Sequence, residues 1–269
     1  MIKLFVTDID GTLLPTGGKV SEKNIEAIQK MTQAGVKVVI ATGRMHGAAL
    51  PIAAQLKVPV PIISYNGGLI KSSSGEVIHT QFMDEDIVLK IIDFFAERGR
   101  HIQSYSNDTL YVPERNSGVE YYEEAIRVKA VTVGWDGLRQ RVKGVPKLLT
   151  ISEDLNEILD SMNGIKKLYG DKVEATQSNI RFAEFMHKGV TKAGAIKILA
   201  SKLGIANDEI LTIGDSENDL PMLTAFDCGI AMGNAKDSIK AVCKHVTDIC
   251  ENDGFAKAAY DYVLKPLGN

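Results

Sequence analysis

Short apolar runs alternate with stretches of helical period from the start of the chain onward. The runs at 1–7 and 36–41 are rich in aliphatic residues and are typical of buried strands. Between them, Ser21 is placed to cap a helix whose apolar positions recur every three or four residues, and Gly35 is placed to end it. Regular alternation of strands and helices indicates a parallel sheet covered by helices. The pattern therefore predicts an α/β fold.

The alternation breaks off near residue 84 and returns near residue 188. Between these positions, strand-like segments occur in pairs, namely 101–105 with 109–112 and 172–175 with 181–185. A helix is predicted at 154–162, ahead of the second pair. Grouped strands and helices of this kind are typical of an α+β domain. We therefore predict a core domain formed by residues 1–83 and 188–269, and an inserted α+β domain at 84–187.

Charge and apolar content restrict the classes of partner. The chain of 269 residues has 31 lysines and arginines against 34 aspartates and glutamates, with no block of like charge, so no nucleic-acid partner is expected. The longest apolar stretches fall well short of the roughly 20 residues that span a bilayer, so no membrane partner is expected either. The chain begins in a predicted strand without a charged and apolar leader, which predicts a cytoplasmic protein. The oligomeric state stays open.

Cysteine and histidine are sparse and scattered. The three cysteines form an odd number and lack a C-x-x-C spacing, which argues against a disulfide framework and against a zinc site. No two of the five histidines stand four residues apart, as paired metal ligands on a helix would. We therefore expect any metal to be bound by oxygen atoms.

Two carboxylates stand at the end of the first predicted strand. Asp8 and Asp10 share a face because side chains two residues apart in an extended chain point the same way, and Gly11 allows a sharp turn after them. The pair suits a carboxylate nucleophile beside a carboxyl acid or base, with a hard cation between them. Taken alone, the same residues are also an ordinary turn sequence. Other parts of the chain must decide between these interpretations.

Further polar residues occur where the same sheet would place them together. Thr42 follows the second predicted strand, and Asp215 and Asp219 follow a later one. Lys192 lies in the first turn of a predicted helix. In open parallel sheets, ligands bind outside the carboxyl ends of the strands, where residues distant in sequence converge. The spacing therefore predicts a single anion site with a bound cation.

In their order along the chain, these residues resemble the four motifs of haloacid dehalogenase (HAD) superfamily phosphatases of the Cof type. The matching segments are Asp8-Ile9-Asp10-Gly11-Thr12, Ala41-Thr42-Gly43-Arg44, Lys192, and Gly214-Asp215-Ser216-Glu217-Asn218-Asp219. The long insert between Asn66 and Lys192 resembles the class IIB cap. The resemblance implies a Rossmann-like parallel-sheet core with an inserted α+β cap domain of the C2B type, which sets substrate specificity.

The resemblance also implies a reaction and a role for each residue. It implies Mg²⁺-dependent hydrolysis of a small phosphorylated metabolite, with a sugar phosphate as the expected substrate. Asp8 would be the nucleophile that forms an aspartyl-phosphate, and Asp10 would act as acid and then as base. The implied metal residues are Asp8, Asp10 (through its backbone carbonyl), Asp215 and Asp219. The implied phosphate-binding residues are Thr42, Gly43, Lys192 and Asn218, and those on the substrate side are Arg44, Asn66 and Gly67.

Other functions remain open at this point. A phosphomutase would share the aspartyl-phosphate step and return the phosphoryl group to a sugar. A regulator that binds phosphorylated metabolites without turnover would use the same scaffold, because a fold does not guarantee an activity. A dehalogenase needs neither a magnesium site nor a second acid, so Asp10, Asp215 and Asp219 argue against it. Dinucleotide-binding, P-loop and serine-hydrolase motifs are absent from the sequence.

Overall fold

The computed structural model describes residues 1–15 and 18–268. The chain divides into two compact units, one formed by Met1–His79 with Thr191–Asn269 and the other by Thr80–Val190. The predicted insert at 84–187 falls within the second unit, and its role as a separate cap domain stays a prediction. None of the helices in the described part of the chain is long and apolar enough to span a membrane.

Strands and α-helices are numbered in chain order. The strands are β1 (Leu4–Thr7), β2 (Lys37–Ala41), β3 (Ile62–Ser64), β4 (Leu69–Lys71), β5 (Val77–Thr80), β6 (Gln103–Ser106), β7 (Thr109–Val112), β8 (Ala130–Thr132), β9 (Leu148–Ile151), β10 (Val173–Asn179), β11 (Phe182–His187), β12 (Ile210–Gly214), β13 (Cys228–Ala231) and β14 (His245–Val246). The α-helices are α1 (Glu22–Gln33), α2 (His46–Gln55), α3 (Glu85–Ala96), α4 (Ser117–Ile126), α5 (Gly134–Arg139), α6 (Leu155–Tyr169), α7 (Lys192–Leu203), α8 (Leu220–Ala225), α9 (Asp237–Lys240) and α10 (Gly254–Ala259).

The first unit is built on an eight-stranded sheet with the order β14-β13-β12-β1-β2-β3-β4-β5. The strands from β14 to β3 run parallel, and β4 pairs with β3 in the antiparallel direction. The central strand β1 is buried on both faces, which explains its unbroken apolar run. Phe5 packs on one face with α1 and α10, whereas Leu4 and Val6 pack on the other face with α7 and α8. The predicted α/β fold with a parallel-sheet core is confirmed.

The predicted helix signals act as caps in the first unit. The Ser21 hydroxyl accepts a hydrogen bond from the Asn24 N–H at the start of α1, and Gly35 adopts a φ of 84° after the helix ends. At the start of α7, the Thr191 hydroxyl accepts from the Gly194 N–H at 3.1 Å. This cap fixes where α7 begins and therefore where Lys192 stands.

The second unit is built on a six-stranded, mostly antiparallel sheet with the order β10-β11-β9-β6-β7-β8. Alternate residues of its strands form an apolar core with α3 and α6 on one face. Two elements were not predicted, β8 and α5. The first is a three-residue edge strand that is largely exposed, and the second is a six-residue helix that contains Gly134 and Gly137. Neither has the apolar period on which sequence prediction depends.

Helix α6 runs to Tyr169 and is longer than the predicted helix at 154–162. Asn163 and Gly164, which both disfavour helix interiors, follow directly after the predicted end of the helix. In the structure Gly164 faces α3, and a Cβ atom at this position would lie 2.8 Å from the ring of Phe94. Close packing between two helices therefore explains why a glycine stands inside α6.

Candidate active site

Three neighbouring strands of the first unit lead into the residues predicted to carry chemistry. Asp8 follows β1, Thr42 follows β2 and Asp215 follows β12. Because β1 pairs in parallel with both β2 and β12, the three residues emerge side by side at the carboxyl edge of the sheet. The topology therefore accounts for the convergence that the sequence spacing predicts.

Lys192 lies fully buried between two carboxylates. Its Nζ donates to Asp8 Oδ1 at 2.6 Å and to Asp219 Oδ1 at 2.6 Å. Burial acts to lower the pKa of Lys192, but the charges of Asp219 and Asp8 outweigh it and raise the pKa above its usual value. A buried charge is tolerated when it is paired and hydrogen-bonded, as it is here. Lys192 is therefore a fixed ammonium at the base of the site.

Asp219 organises the loop that follows β12. Its Oδ2 accepts hydrogen bonds from the backbone N–H groups of Asp215 at 3.0 Å and Ser216 at 2.9 Å, while Oδ1 accepts from Lys192. A Cβ atom at Gly214 would lie 2.5 Å from the Asp219 Cγ, so the loop can close over this carboxylate only at a glycine. Both oxygens of Asp219 are thus engaged in holding the site together.

Asp215 is held by hydroxyl groups on both oxygens. Thr12 Oγ1 donates to Oδ1 at 2.6 Å, and Ser216 Oγ donates to Oδ2 at 3.1 Å. Burial and then the charge of Asp219 raise the pKa of Asp215 to about 7. Gly11 adopts a φ of 79°, and a Cβ atom there would lie 2.6 Å from Asp215 Oδ2. Gly11 is therefore required for the close approach of the loop after β1 to this carboxylate.

The carboxylates form a cluster with an excess of negative charge. Oxygens of Asp8, Asp215 and Asp219 lie within 4.8 Å of one another. Burial raises the pKa of Asp8 well above its usual range, against the charge of Lys192, and the neighbouring carboxylates raise it further. Three carboxylates around one ammonium leave negative charge that a hard divalent cation would balance, and carboxylate oxygens are the ligands that such cations prefer. The donor set fits Mg²⁺. Asp219 accepts three hydrogen bonds, whereas Asp215 accepts two from neutral hydroxyls and Asp8 accepts one from Lys192, so Asp8 and Asp215 keep more capacity to bind a cation.

Asp10, whose charge also acts on Asp8, has an arginine as its partner. Arg44 Nε donates to Asp10 Oδ2 at 2.7 Å, and Arg44 Nη2 donates to Asp10 Oδ1 at 2.6 Å, which is a bidentate pair. The arginine side chain is 10% exposed and that of Asp10 is 39% exposed. No local sequence pattern indicates this pair, because it joins residues on two different loops.

The remaining predicted residues lie on the loops after β2, β3 and β12. Thr42 is buried, and its Oγ1 accepts from the Arg44 N–H at 3.1 Å, so the hydroxyl proton is available to donate to an anion. Asn218 Nδ2 donates to Asn66 Oδ1 at 3.1 Å. The sequence analysis did not identify Thr12 and Ser216 as residues of the site, although their hydroxyls hold Asp215. Both residues lie within the motifs that contain Asp10 and Asp215, so their position in those motifs was the available signal.

Comparison with known proteins agrees with this geometry. A family model described as haloacid dehalogenase-like hydrolase matches residues 5–258. Over 265 residues the chain is 30% identical to a 5-amino-6-(5-phospho-D-ribitylamino)uracil phosphatase of Bacillus subtilis, and the alignment covers 98% of this chain and 96% of that protein.

Two solved structures also resemble the whole chain. One is a phosphatase of the haloalkanoate (HAD) enzyme superfamily from Bacteroides thetaiotaomicron, with a TM-score of 0.83, 29% identity, and coverage of 100% of this chain and 96% of that one. The other is described as a HAD subclass IIB sugar phosphatase, with a TM-score of 0.87, 25% identity, and coverage of 97% and 98%. These matches confirm the resemblance read from the motifs. The chain belongs to the haloacid dehalogenase-like hydrolase family, and within it the chain groups with the phosphoric monoester hydrolases.

Proposed function

We propose that this chain is a Mg²⁺-dependent phosphatase that hydrolyses a small phosphorylated metabolite through an aspartyl-phosphate intermediate. The observation that carries the proposal is the buried contact between Lys192 and Asp8, with the Asp215 carboxylate close by. A buried ammonium beside a carboxylate nucleophile supplies positive charge where the phosphoryl oxygens gather during transfer. This arrangement favours attack by a carboxylate on phosphorus.

In the first step, Asp8 attacks the phosphorus atom of the substrate. Lys192 holds Asp8 Oδ1 at 2.6 Å, which fixes the carboxylate so that Oδ2 is the attacking oxygen. The Oδ2–P bond forms as the ester P–O bond breaks, and Asp10 donates a proton to the leaving oxygen. The products of this step are the free alcohol and the aspartyl-phosphate.

In the second step, a water molecule attacks the phosphorus atom of the aspartyl-phosphate. Asp10, now ionised, takes a proton from the water, and the bond between phosphorus and Asp8 breaks. Inorganic phosphate leaves, and both carboxyl groups return to their starting states. Asp10 must therefore hold a proton in one half of the cycle and accept one in the other.

The pair between Asp10 and Arg44 sets a condition on this cycle. Both oxygens of Asp10 accept hydrogen bonds from the Arg44 guanidinium. A carboxyl group can deliver its proton only from an oxygen that faces the leaving group, so at least one of the two bonds must open when substrate binds. Arg44 is then free to hold the substrate or to keep the other oxygen in place.

Donors for the phosphoryl oxygens come from the loops after β2 and β12 and from the start of α7. The Thr42 hydroxyl, the backbone at Gly43, the Lys192 ammonium and the Asn218 amide are proposed to bind the transferring group. Each well-placed donor of this kind typically lowers the activation free energy by about 3 kcal/mol. When bound through Asp8, Asp215 and the Asp10 carbonyl, with Asp219 orienting the ligands, Mg²⁺ would offset the repulsion between carboxylate and phosphate.

The substrate is proposed to be a phosphate ester of a polyhydroxylated carbon chain. One matched protein is a phosphatase of a phosphoribityl compound and another is a sugar phosphatase, and both kinds of substrate belong to this chemical class. Residues 84–187 are proposed to form the cap that selects the leaving group. Exclusion of bulk water by such a domain would strengthen the electrostatic interactions that hold the transferring phosphoryl group.

A phosphate-release screen tests the proposal. The panel comprises hexose, pentose, triose and ribityl phosphates, with nucleotides as a contrasting class, assayed with Mg²⁺ and with EDTA. We expect release from sugar or polyol phosphates that stops in EDTA and in Asp8→Asn, which keeps the shape of the side chain and removes the nucleophile. Phosphate release that survives both changes would refute the mechanism.

Two other outcomes would replace the proposal with an alternative. Recovery of the phosphate in an isomerised sugar would identify a phosphomutase. Tight binding of sugar phosphates without turnover in Mg²⁺ would identify a binding regulator. Rapid mixing with labelled substrate followed by acid quench adds a direct test, because an acid-stable label on the wild-type chain that is absent from Asp8→Asn would mark the aspartyl-phosphate.

A further inference from the structure

A buried turn of three left-handed residues follows β3. Tyr65, Asn66 and Gly67 have φ values of 53°, 56° and 116°, and the side chains of the first two are 2% exposed. A bulky residue such as tyrosine rarely adopts this conformation, and such backbone strain tends to cluster where a site depends on it. The turn therefore calls for a functional reason.

The backbone of this turn is tied to the loop after β2. The Asn66 N–H donates to the Thr42 carbonyl at 3.0 Å, and the Tyr65 N–H donates to the Arg44 carbonyl at 3.0 Å. These two bonds hold both ends of the segment 42–44, which carries the proposed phosphate-binding hydroxyl and the partner of the acid. The left-handed conformation is what turns these N–H groups toward that loop.

The same turn contacts the start of α7. A Cβ atom at Gly67 would lie 2.6 Å from the Thr191 carbonyl oxygen and 3.1 Å from the Ala195 Cβ. Thr191 is the residue that caps α7 and so fixes Lys192. Only glycine allows the turn to approach this closely, so its position and that of the helix start are coupled.

The side chain of Asn66 completes the set of contacts. Its Oδ1 accepts from Asn218 Nδ2 at 3.1 Å. A primary amide has two N–H donors, and the bond to Asn66 fixes the plane of the Asn218 amide and leaves its second N–H to aim elsewhere. A donor that is already oriented loses less freedom when it binds an anion.

We propose that Asn66 is a positioning residue that orients the Asn218 amide toward the phosphoryl group, and that the strained turn at 65–67 aligns the phosphate-binding loops after β2 and β12 with the start of α7. This inference rests on the proposed function and assigns Asn66 a role other than direct contact with substrate. Its amide oxygen is engaged by Asn218, and its backbone N–H by Thr42.

Asn66→Gly is the variant that isolates the side chain. Glycine adopts the left-handed conformation readily, so the turn persists while the amide is removed. We expect kcat for phosphate release to fall about tenfold. Removal of a positioned donor typically lowers kcat by roughly 100-fold, and Asn66→Gly leaves the donor in place but less well oriented. Lys57→Gly is the matched control: Lys57 is exposed, has a φ of 58° and lies in the same unit, so this variant should keep full activity.

A double-mutant cycle tests whether Asn66 acts through Asn218. In the Asn218→Ala background, Asn66→Gly should lower kcat by less than a further twofold, because the amide that it orients is gone. A purely structural role would make the two losses multiply, and that result would overturn the inference. Unchanged kcat in the single variant Asn66→Gly would overturn it as well.

Binding of inorganic phosphate separates this inference from the proposed function. If the wild type releases no phosphate from any ester in Mg²⁺, the proposed function fails. The affinity for inorganic phosphate can still be measured by calorimetric titration for the wild type and for Asn66→Gly. Equal affinities of the two proteins would overturn the inference. We expect about tenfold weaker phosphate binding in Asn66→Gly and no change in Lys57→Gly. A wild type that neither turns over esters nor binds phosphate would overturn both.

Discussion

In the absence of metal, the carboxylate cluster should make the stability of the protein depend on pH. Burial, followed by the charge of Asp219, raises the pKa of Asp215 from 3.8 to about 7. A carboxyl group whose pKa is higher in the folded than in the unfolded chain favours folding at low pH, and this contribution is lost as the pH rises through the folded value. In EDTA, the wild type should therefore lose stability between about pH 4 and pH 7, the window set by those two values.

Asp215→Asn removes the charge and keeps the shape of the side chain. The asparagine oxygen can still accept from Thr12, and its amide can donate to the Ser216 hydroxyl, so the hydrogen bonds persist in altered form. The rise of the Asp215 pKa from 3.8 to about 7 corresponds to about 4 kcal/mol of lost folding free energy at pH 8. Because part of this loss comes from repulsion that is shared with the neighbouring carboxylates, we expect Asp215→Asn to gain about 2 kcal/mol in its free energy of unfolding. We therefore expect an inactive variant that is more stable than the wild type.

Thermal unfolding in EDTA is the assay, at pH 8 and at pH 4.5. At pH 8 the melting temperature of Asp215→Asn should exceed that of the wild type by about 4 to 8 °C, and at pH 4.5 the two should nearly coincide. Mg²⁺ at pH 8 should raise the melting temperature of the wild type but not that of the variant. Asp208→Asn, an exposed change on the same unit, is the control. A variant no more stable than the wild type at pH 8 would refute the idea that uncompensated charge accumulates at this site.

Three further changes test other parts of the structure. Thr42→Ala removes a buried hydroxyl at the proposed phosphate site, so kcat for phosphate release should fall about 100-fold while Thr42→Ser keeps most of it; a loss confined to KM would contradict this role. Arg44→Lys breaks the bidentate pair with Asp10, and kcat should fall at least several-fold with little change in KM, since a lysine cannot hold both oxygens; an unchanged kcat would show that the pair is dispensable. In the second unit, hydrogen bonds from Arg115 lower the pKa of the buried Glu123 to about 2, so its contribution to stability is present above about pH 4.5 and is lost toward pH 2. Glu123→Gln should therefore melt lower than the wild type at pH 7, with the difference shrinking at pH 3, whereas the exposed Glu120→Gln on the same helix should melt as the wild type does at both pH values.

The sequence predicted those features that depend on local chemistry. Apolar runs gave the strands of the parallel sheet because strands buried on both faces tolerate few polar residues. Ser21 marked a helix start because its hydroxyl satisfies an N–H group that a helix leaves unpaired. The order of polar residues after successive strands indicated one site because parallel strands share a carboxyl edge. The missed helix α5 contains two glycines, which local preference disfavours in a helix, and it packs on the core of the second unit through Leu138. The predicted α6 ended too early because Gly164 is also a poor helix former, and in the structure this residue packs against Phe94 of α3.

The division of work among the acidic residues is a property of the tertiary structure. Asp8 and Lys192 stand 184 residues apart, and no local pattern records that their side chains meet. The motifs mark Asp10 and Asp219 as acidic residues of the site, yet the first is paired with Arg44 and the second has both oxygens engaged by Lys192 and by backbone N–H groups. Asp10 and Asp219 are thus held by charged or backbone donors on both oxygens, whereas Asp215 accepts only from two hydroxyls and Asp8 from Lys192 on one oxygen, so these two keep more capacity for a cation. Burial, and then the charges of the neighbouring carboxylates, raise the pKa values of these two residues, so the metal-free fold loses stability by holding a cation site ready.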